Sequence, residues 1–189
     1  MISFFIEMKD FRYYEHCFSS LHTAMKLGKP APHKALLLLS VIDLVESGVI
    51  IDNHIDLSDI LINTFNANAK KFYARSTLFK PEVTKPFFHM QHESFWRLVD
   101  SRCCSETAMA AERVAEYGKR KPTYSVKKLR EQYRYAEIDT ELFKLLKNED
   151  ARARLRVLLI STYLNNRIDI FIPIETLPIY LSILSALAC

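Results

Sequence analysis

The chain has 189 residues, of which 49% are hydrophobic, with only three glycines and seven prolines. This composition suffices for one sizeable core and excludes a disordered, low-complexity or loop-rich chain. The net charge of +4 is uneven: residues 1–65 carry −3 (five basic, eight acidic), residues 66–102 carry +4 (seven against three) and residues 119–156 carry +6 (twelve against six). Two basic segments favour a polyanionic partner, although solvated lysines and arginines are the ordinary explanation of such an excess.

The cysteines and the apolar runs bear on the cellular setting. Cys17, Cys103, Cys104 and Cys189 form no CxxC pair, and the opening residues do not resemble a signal peptide. We therefore expect reduced thiols and a cytoplasmic location. No apolar run reaches the length of about 18 residues that a membrane span needs, so no membrane partner is expected.

The first two predicted elements are helices. Over residues 4–26, apolar side chains recur at steps of three and four, which predicts a helix that ends before Gly28. Residues 32–47 predict a second helix, because Pro32 suits a helix entry and Gly48 suits a C-terminal cap. Its few polar positions leave only a narrow wet stripe, so we expect this helix to form the core of the domain.

The first turn of the predicted core helix carries His33 and Lys34. Cations oppose the positive end of the helix dipole, whereas free backbone amides and basic side chains together form an anion site. The alternative is that Lys34 is only solvated and that His33 only starts the helix. The sequence leaves both interpretations open.

The middle of the chain is predicted to form a β-hairpin. Residues 49–55 favour a short strand or extended link, residues 57–70 a helix, and the polar residues 66–84 a loop with a frayed helical start. Residues 86–91 and 95–99 are two aromatic-rich runs around a short polar turn, which is typical of a hairpin. This order of elements is that of a winged helix.

The rest of the chain is predicted to be helical up to an apolar tail. Helices are expected over residues 103–117, 126–135, 139–147 and 148–164, with a basic hinge at residues 119–122. Lys127, Arg130 and Arg134 would share the outer face of the helix over residues 126–135.

The tail, residues 168–189, ends in an apolar run over residues 179–189, and these eleven residues are too few to span a bilayer. We expect it to be a docking element, an oligomer contact or the stub of a longer protein. The predicted fold is α+β and mainly α-helical, with a winged-helix-like core, one small β-hairpin and C-terminal helices. The predicted domain covers residues 1–167.

Motifs for catalysis and metal binding are nearly absent. The chain has no GxSxG nucleophile motif. His89 and His92 have HxxH spacing, but no cysteine or carboxylate pair completes a tetrahedral metal set. Glu7 and Lys9 match the letters of a carboxylate-plus-lysine nuclease but fall in a predicted helix. We therefore predict no catalytic residue, no metal and no cofactor.

Basic residues interleaved with aromatic residues around the predicted hairpin are the stronger functional signal. Cations there can bind phosphates, and aromatic rings can stack on bases. The alternative is that the aromatic residues are core residues, because the faces of a hairpin must bury something. The residues in question are Phe87, Phe88, Phe95 and Trp96.

Several blocks of the sequence are similar, in order and spacing, to one family. They are residues 31–39 (APHKALLLL), 43–50 (DLVESGVI), 86–90 (PFFHM), 95–99 (FWRLV) and 128–143 with KLR and YAEIDTELF. These blocks resemble the N-terminal domain of bacterial HNH endonucleases related to the DNA sulfur-binding domain of type IV restriction enzymes. The likeness runs from about Phe11 to Tyr163.

The resemblance implies recognition of double-stranded DNA, in some members with a phosphorothioate backbone whose sulfur lies in a small apolar pocket. It places His33 and Lys34 at the family's basic pair and Pro86 at its pocket wall. Sulfur-binding members tend to carry Tyr before that proline, where this chain has Lys85, and Ala35 stands where a proline is usual. The His/Asn/His site of the HNH nuclease, expected after Arg167, is absent from the sequence, so cleavage is not assigned to this chain.

From these residues we expect a double-stranded DNA-binding module of a restriction or defence system. The alternative is a protein-interaction or oligomerisation module whose tail contacts itself or recruits a separate nuclease subunit. Phosphate contacts are expected from Lys34, Arg75, Lys85 and Arg97, and a recognition pocket at His33 and Pro86. The full set of predicted DNA-binding residues is His33, Lys34, Arg75, Lys80, Lys85, Pro86, His89, Arg97, Lys127 and Arg130.

Overall fold

The computed structural model describes residues 9–26, 28–73, 80–101 and 124–164. Its helices are α1 (Phe11–Ser19), α2 (His33–Glu46), α3 (Asp59–Tyr73), α4 (Thr84–His89), α5 (Val126–Gln132), α6 (Thr140–Leu146) and α7 (Glu149–Leu159), with a 3-10 turn at Met90–His92 and a π-helical turn at Ile160–Leu164. Its strands are β1 (Met25–Lys26), β2 (Lys29–Pro30), β3 (His54–Ile55), β4 (Trp96–Asp100) and β5 (Tyr133–Ile138). The described part is therefore mainly helical with a small antiparallel sheet, as the α+β prediction requires.

Helix α2 forms the centre of the core, and its prediction is confirmed. Nearly all of its residues are buried, and α3, α4, α6 and α7 contact it. The polar residues of its stripe form hydrogen bonds within the protein. Asn68 of α3 donates to Ser40 Oγ (3.2 Å) and to Asp43 Oδ2 (2.7 Å). Gly48 follows with φ 72°, the left-handed conformation that glycine adopts without strain after a helix end.

The predicted hairpin is wrong. Its first run folds as α4, in which Pro86 occupies the first turn, where a missing N–H removes no helical bond. Its second run is β4, which pairs with β5 far along the chain rather than with its neighbour in sequence. The sheet has the order β3-β5-β4 and is antiparallel throughout. The winged-helix interpretation depended on that hairpin and is not confirmed.

Two predicted helices end earlier than expected. The helix predicted over residues 126–135 stops at Gln132, because the following residues alternate between the two faces of β5. Arg134 therefore lies on a strand and does not share a helix face with Lys127 and Arg130. The helix predicted to reach Lys26 stops at Ser19, and β1 and β2 form a separate two-stranded ribbon.

The C-terminal helices are confirmed where the structure describes them. Helix α6 lies within the predicted residues 139–147, and α7 with its π-helical turn covers most of the predicted residues 148–164. Asn148 caps α7, since its side chain accepts a bond from the N–H of Ala151 at 3.0 Å.

Several predictions fall outside the described residues. These are the start of the first helix, Arg75, the helix over residues 103–117, the basic hinge at residues 119–122 and the apolar tail at residues 168–189. In the part that is described, no helix combines the length and the apolarity needed to cross a membrane.

Candidate nucleic-acid interface

The predicted site begins at the first turn of α2, which contacts the segment leading into α4. His33 Nε2 lies 2.8 Å from the backbone carbonyl oxygen of Lys80. This contact holds the segment of residues 80–83 against the N-terminus of α2. His33 therefore positions the chain that carries Lys80 and Lys85.

Lys34 does not reach the surface. Its ammonium forms an ion pair with Glu93 Oε1, and the two side chains are only 8% and 5% exposed. Glu93 also accepts from the backbone N–H of His22 at 3.0 Å and lies 3.2 Å from His22 Nδ1. The anion beside the first turn of α2 is thus a carboxylate of the protein itself, and the ammonium of Lys34 is inaccessible to a DNA phosphate in this conformation.

Lys80 and Lys85 are both exposed. Lys85 Nζ lies 2.9 Å from Glu82 Oε2, and its side chain is 58% exposed. The hydrogen bond from Lys85 is the main cause that lowers the pKa of Glu82, which therefore stays ionised. A surface ion pair of this kind contributes little and exchanges readily, so the ammonium group of Lys85 is accessible to an incoming phosphate. Lys80 is exposed as well and is equally accessible.

Pro86 and His89 differ in their accessibility. Pro86 is buried in the first turn of α4. His89 is half-buried, with Nε2 2.9 Å from the hydroxyl of Tyr124. Burial, followed by the charges of His92, Lys34 and Lys85, lowers the pKa of His89 below its ordinary value.

Arg97 lies on the sheet. It is 74% exposed and forms an ion pair with Glu137, the residue opposite it on β5. That hydrogen bond raises the pKa of Arg97 and lowers the pKa of Glu137. The guanidinium is thus held over the sheet by a carboxylate that would have to yield before a phosphate could bind.

The two predicted residues of α5 differ in their surroundings. Lys127 is exposed. Arg130 donates from Nε to the carbonyl of Leu57 at 2.8 Å and from Nη2 to Asp59 Oδ1 at 2.7 Å. Arg130 therefore ties α5 to the start of α3, beside a cleft of about 210 Å³ whose lining includes Phe87.

The structure thus brings part of the predicted site together. His33, Lys80, Lys85 and His89 belong to the α2 entry and the α4 segment, which contact each other, and α5 with Lys127 packs against α4. We call three exposed lysines of these elements, Lys80, Lys85 and Lys127, the cationic face. Arg97 belongs to the sheet, and Arg75 lies outside the described residues.

Sequence reasoning missed two groups of this region. The sequence places Glu93 in a polar turn, and nothing near it indicates that Lys34 is its partner. Tyr124 contacts His89 from 35 residues away, and no local pattern could have linked them. A basic residue in a mostly apolar helix was the one signal available, since a buried cation needs a buried anion.

Comparison with known proteins gives one informative similarity. No family model and no curated protein matches the chain. Among solved structures, the chain is similar to the "Sulfur binding domain of ScoMcrA complexed with phosphorothioated DNA", with a TM-score of 0.55 and 17% identity, over 84% of this chain and 91% of that chain. At that identity the similarity establishes a shared fold. The chain therefore shares the fold of that solved domain.

Proposed function

We propose that this protein is a double-stranded DNA-binding module of a restriction or defence system. The observation that carries the proposal is the fold shared with a domain whose structure contains phosphorothioated DNA, over most of both chains. The exposed lysines of the cationic face support it, because phosphate contacts by such residues supply most of the affinity of DNA-binding domains.

The proposal assigns binding and not cleavage to this chain. Within the described residues, no group of three or more histidine, cysteine or carboxylate side chains is placed to hold a metal ion. A nuclease of the HNH class, supplied by a separate partner, would then cut the DNA that this module holds. The same proposal covers the preference between plain and phosphorothioate DNA. That preference depends on Lys85.

The test compares plain and phosphorothioate duplexes of one sequence at about 50 mM salt, followed by a salt titration. We expect both duplexes to bind, and the logarithm of the affinity to fall linearly with the logarithm of the salt concentration because several counterions are released. No binding of either duplex at this salt would refute the proposal.

A charge-reversal variant locates the interface. Lys80→Glu with Lys85→Glu should weaken binding strongly and reduce the salt slope by about two, one for each phosphate that the lysines no longer bind. The matched control is Lys144→Glu with Lys147→Glu, which reverses the same number of charges, since both lysines are exposed at the end of α6 and lie outside the cationic face. Equal effects in the two variants would mean that general charge, and not this face, holds the DNA.

A further inference from the structure

The HxxH pair lies beside the cationic face and has no role in DNA binding as described so far. His89 ends α4, and His92 ends the 3-10 turn that follows. Their rings are stacked, with centroids 5.9 Å apart and planes inclined by 20°. His92 is exposed and His89 half-buried, so one edge of the pair is open to solvent.

The charged groups around this pair are mostly cationic. The Coulombic influences on His89 come from His92, from Lys34 of α2 and from Lys85 of α4 itself. The Tyr124 hydroxyl contacts it from the segment before α5. The two carboxylates of this region are engaged elsewhere: Glu93 by Lys34 and His22, and Glu82 by Lys85.

This arrangement disfavours protonation of His89 until an anion arrives. Burial is the first cause, and the charges of His92, Lys34 and Lys85 add to it. A phosphodiester placed at the open edge reverses the sign of the interaction, because its negative charge favours the imidazolium forms and accepts their N–H groups.

We propose that His89 and His92 form a proton-linked phosphodiester contact, so that DNA binding is accompanied by proton uptake at this pair. The inference rests on the proposed function and extends it, since it names the group through which pH controls DNA affinity. The direction of the pH dependence follows from linkage. Because an anion binds the protonated pair more tightly, the affinity of the protein for DNA rises as the pH falls.

The expected size is set by the number of protons taken up. For each proton taken up on binding, the affinity changes by up to tenfold per pH unit. Between about pH 8 and about pH 6, the range in which histidines commonly titrate, we expect a gain of at least tenfold at constant salt.

The experiment measures proton uptake directly, by calorimetry of plain duplex binding in buffers of different ionisation enthalpy. The variants are His89→Gln, His92→Gln and both together. His16→Gln is the control, because His16 is an exposed histidine on a different element, α1. Each single variant should reduce the uptake, the double variant should abolish most of it, and the control should match the original protein.

Three results separate the possibilities. Tight binding without proton uptake, or full uptake in the double variant, would overturn this inference and leave DNA binding intact. No binding of plain or phosphorothioate duplex at either pH would remove the proposed function as well. Should His89→Gln fail to fold, nuclear magnetic resonance titration of the His89 ring in the original protein, with and without DNA, decides: an unchanged titration point overturns the inference.

Discussion

Lys34 and Glu93, 59 residues apart in sequence, form an ion pair in which both side chains are almost completely removed from water. The pair joins the first turn of α2 to the end of the 3-10 turn, and Glu93 extends the link to the backbone of His22. Lys34 thus holds the segment that carries the histidine pair and Lys85. In the proposed function, the role of Lys34 is to fix this surface.

The first prediction follows from the burial of that pair. Glu93→Gln leaves the ammonium of Lys34 without a countercharge in a buried site and should lower the free energy of unfolding by about 3 kcal/mol. Urea denaturation measures the change. The double variant Lys34→Met with Glu93→Leu should be less destabilised than Glu93→Gln, because apolar replacement of both partners leaves no buried charge.

The control for this prediction is the exposed pair of the same segment. Glu82→Gln breaks the bond between Glu82 and Lys85 and should cost less than about 1 kcal/mol, because both side chains are solvated. Similar costs for Glu93→Gln and Glu82→Gln would show that burial does not determine the contribution of the Lys34 pair.

The core helix could be predicted from sequence because its signals are local. A run of apolar residues between Pro32 and Gly48 specifies the element, its ends and its burial together. The same local signals leave open whether the first turn binds an anion, and in the structure Lys34 is paired with the carboxylate of Glu93. They could not name the anion, because Glu93 is brought there by the fold and not by the sequence around α2.

The hairpin prediction is wrong for a related reason. A six-residue aromatic run is compatible with a short helix or with a strand, and only its partner decides between them. For the run after Pro86 the partner is the core helix α2, and for Trp96 and its neighbours it is β5. Both partners are distant in sequence, so the periodicity of the runs carried no information about them.

The second prediction concerns Tyr14, a fully buried residue of α1. Its hydroxyl donates to Asp139 Oδ2 at 3.0 Å, beside Lys9 Nζ, which lies 2.8 Å from the same oxygen. Burial, followed by that hydrogen bond, raises the pKa of Tyr14 far above its ordinary value. The bond should contribute about 1 kcal/mol at neutral pH, and Tyr14→Phe should lose it.

The pH dependence of Tyr14 has a definite sign. The folded pKa lies above the unfolded one, so its contribution is complete below about pH 10 and is lost as the pH rises further, where the unfolded tyrosine ionises. The difference in melting temperature between the original protein and Tyr14→Phe should therefore shrink above that pH. Tyr13→Phe, whose hydroxyl meets Ser94 at the surface, is the control, and a shrinkage of the same size there would contradict the assignment.

The third prediction tests Arg97 as a phosphate contact. Arg97→Ala should weaken DNA binding uniformly across sequences and reduce the salt slope by about one. Glu137→Gln should strengthen binding, because it removes the carboxylate that neutralises the guanidinium. Fluorescence anisotropy with a labelled duplex over a salt series measures both effects.

The control for Arg97 is Arg154, another exposed arginine with a carboxylate partner, Glu15. Arg154 lies on α7 against α1, and Arg154→Ala should leave the DNA affinity unchanged. Unchanged affinity and salt slope in Arg97→Ala would remove the sheet from the interface, while the cationic face would still be tested by its own variants.

The fourth prediction uses Lys85 to separate sulfur from oxygen in the DNA backbone. The family resemblance of the sequence places an apolar pocket wall at this position, where sulfur-binding relatives tend to carry Tyr. An ammonium favours a phosphate oxygen, whereas an aromatic ring favours the larger and less hydrated sulfur. Lys85→Tyr should therefore raise the preference for phosphorothioate over plain duplex by about fivefold, the equivalent of an apolar contact of about 1 kcal/mol.

Two controls distinguish this from a general loss of charge. Lys85→Ala removes the ammonium without supplying a wall and should weaken both duplexes equally, and Lys127→Tyr makes the same substitution elsewhere on the cationic face. Competition between the two duplexes for each variant gives the preference as a ratio, which is insensitive to errors in protein concentration. A ratio in Lys85→Tyr equal to that in Lys127→Tyr would mean that Lys85 does not border the backbone atom that carries sulfur, and the wall beside Pro86 would have to be sought in other residues.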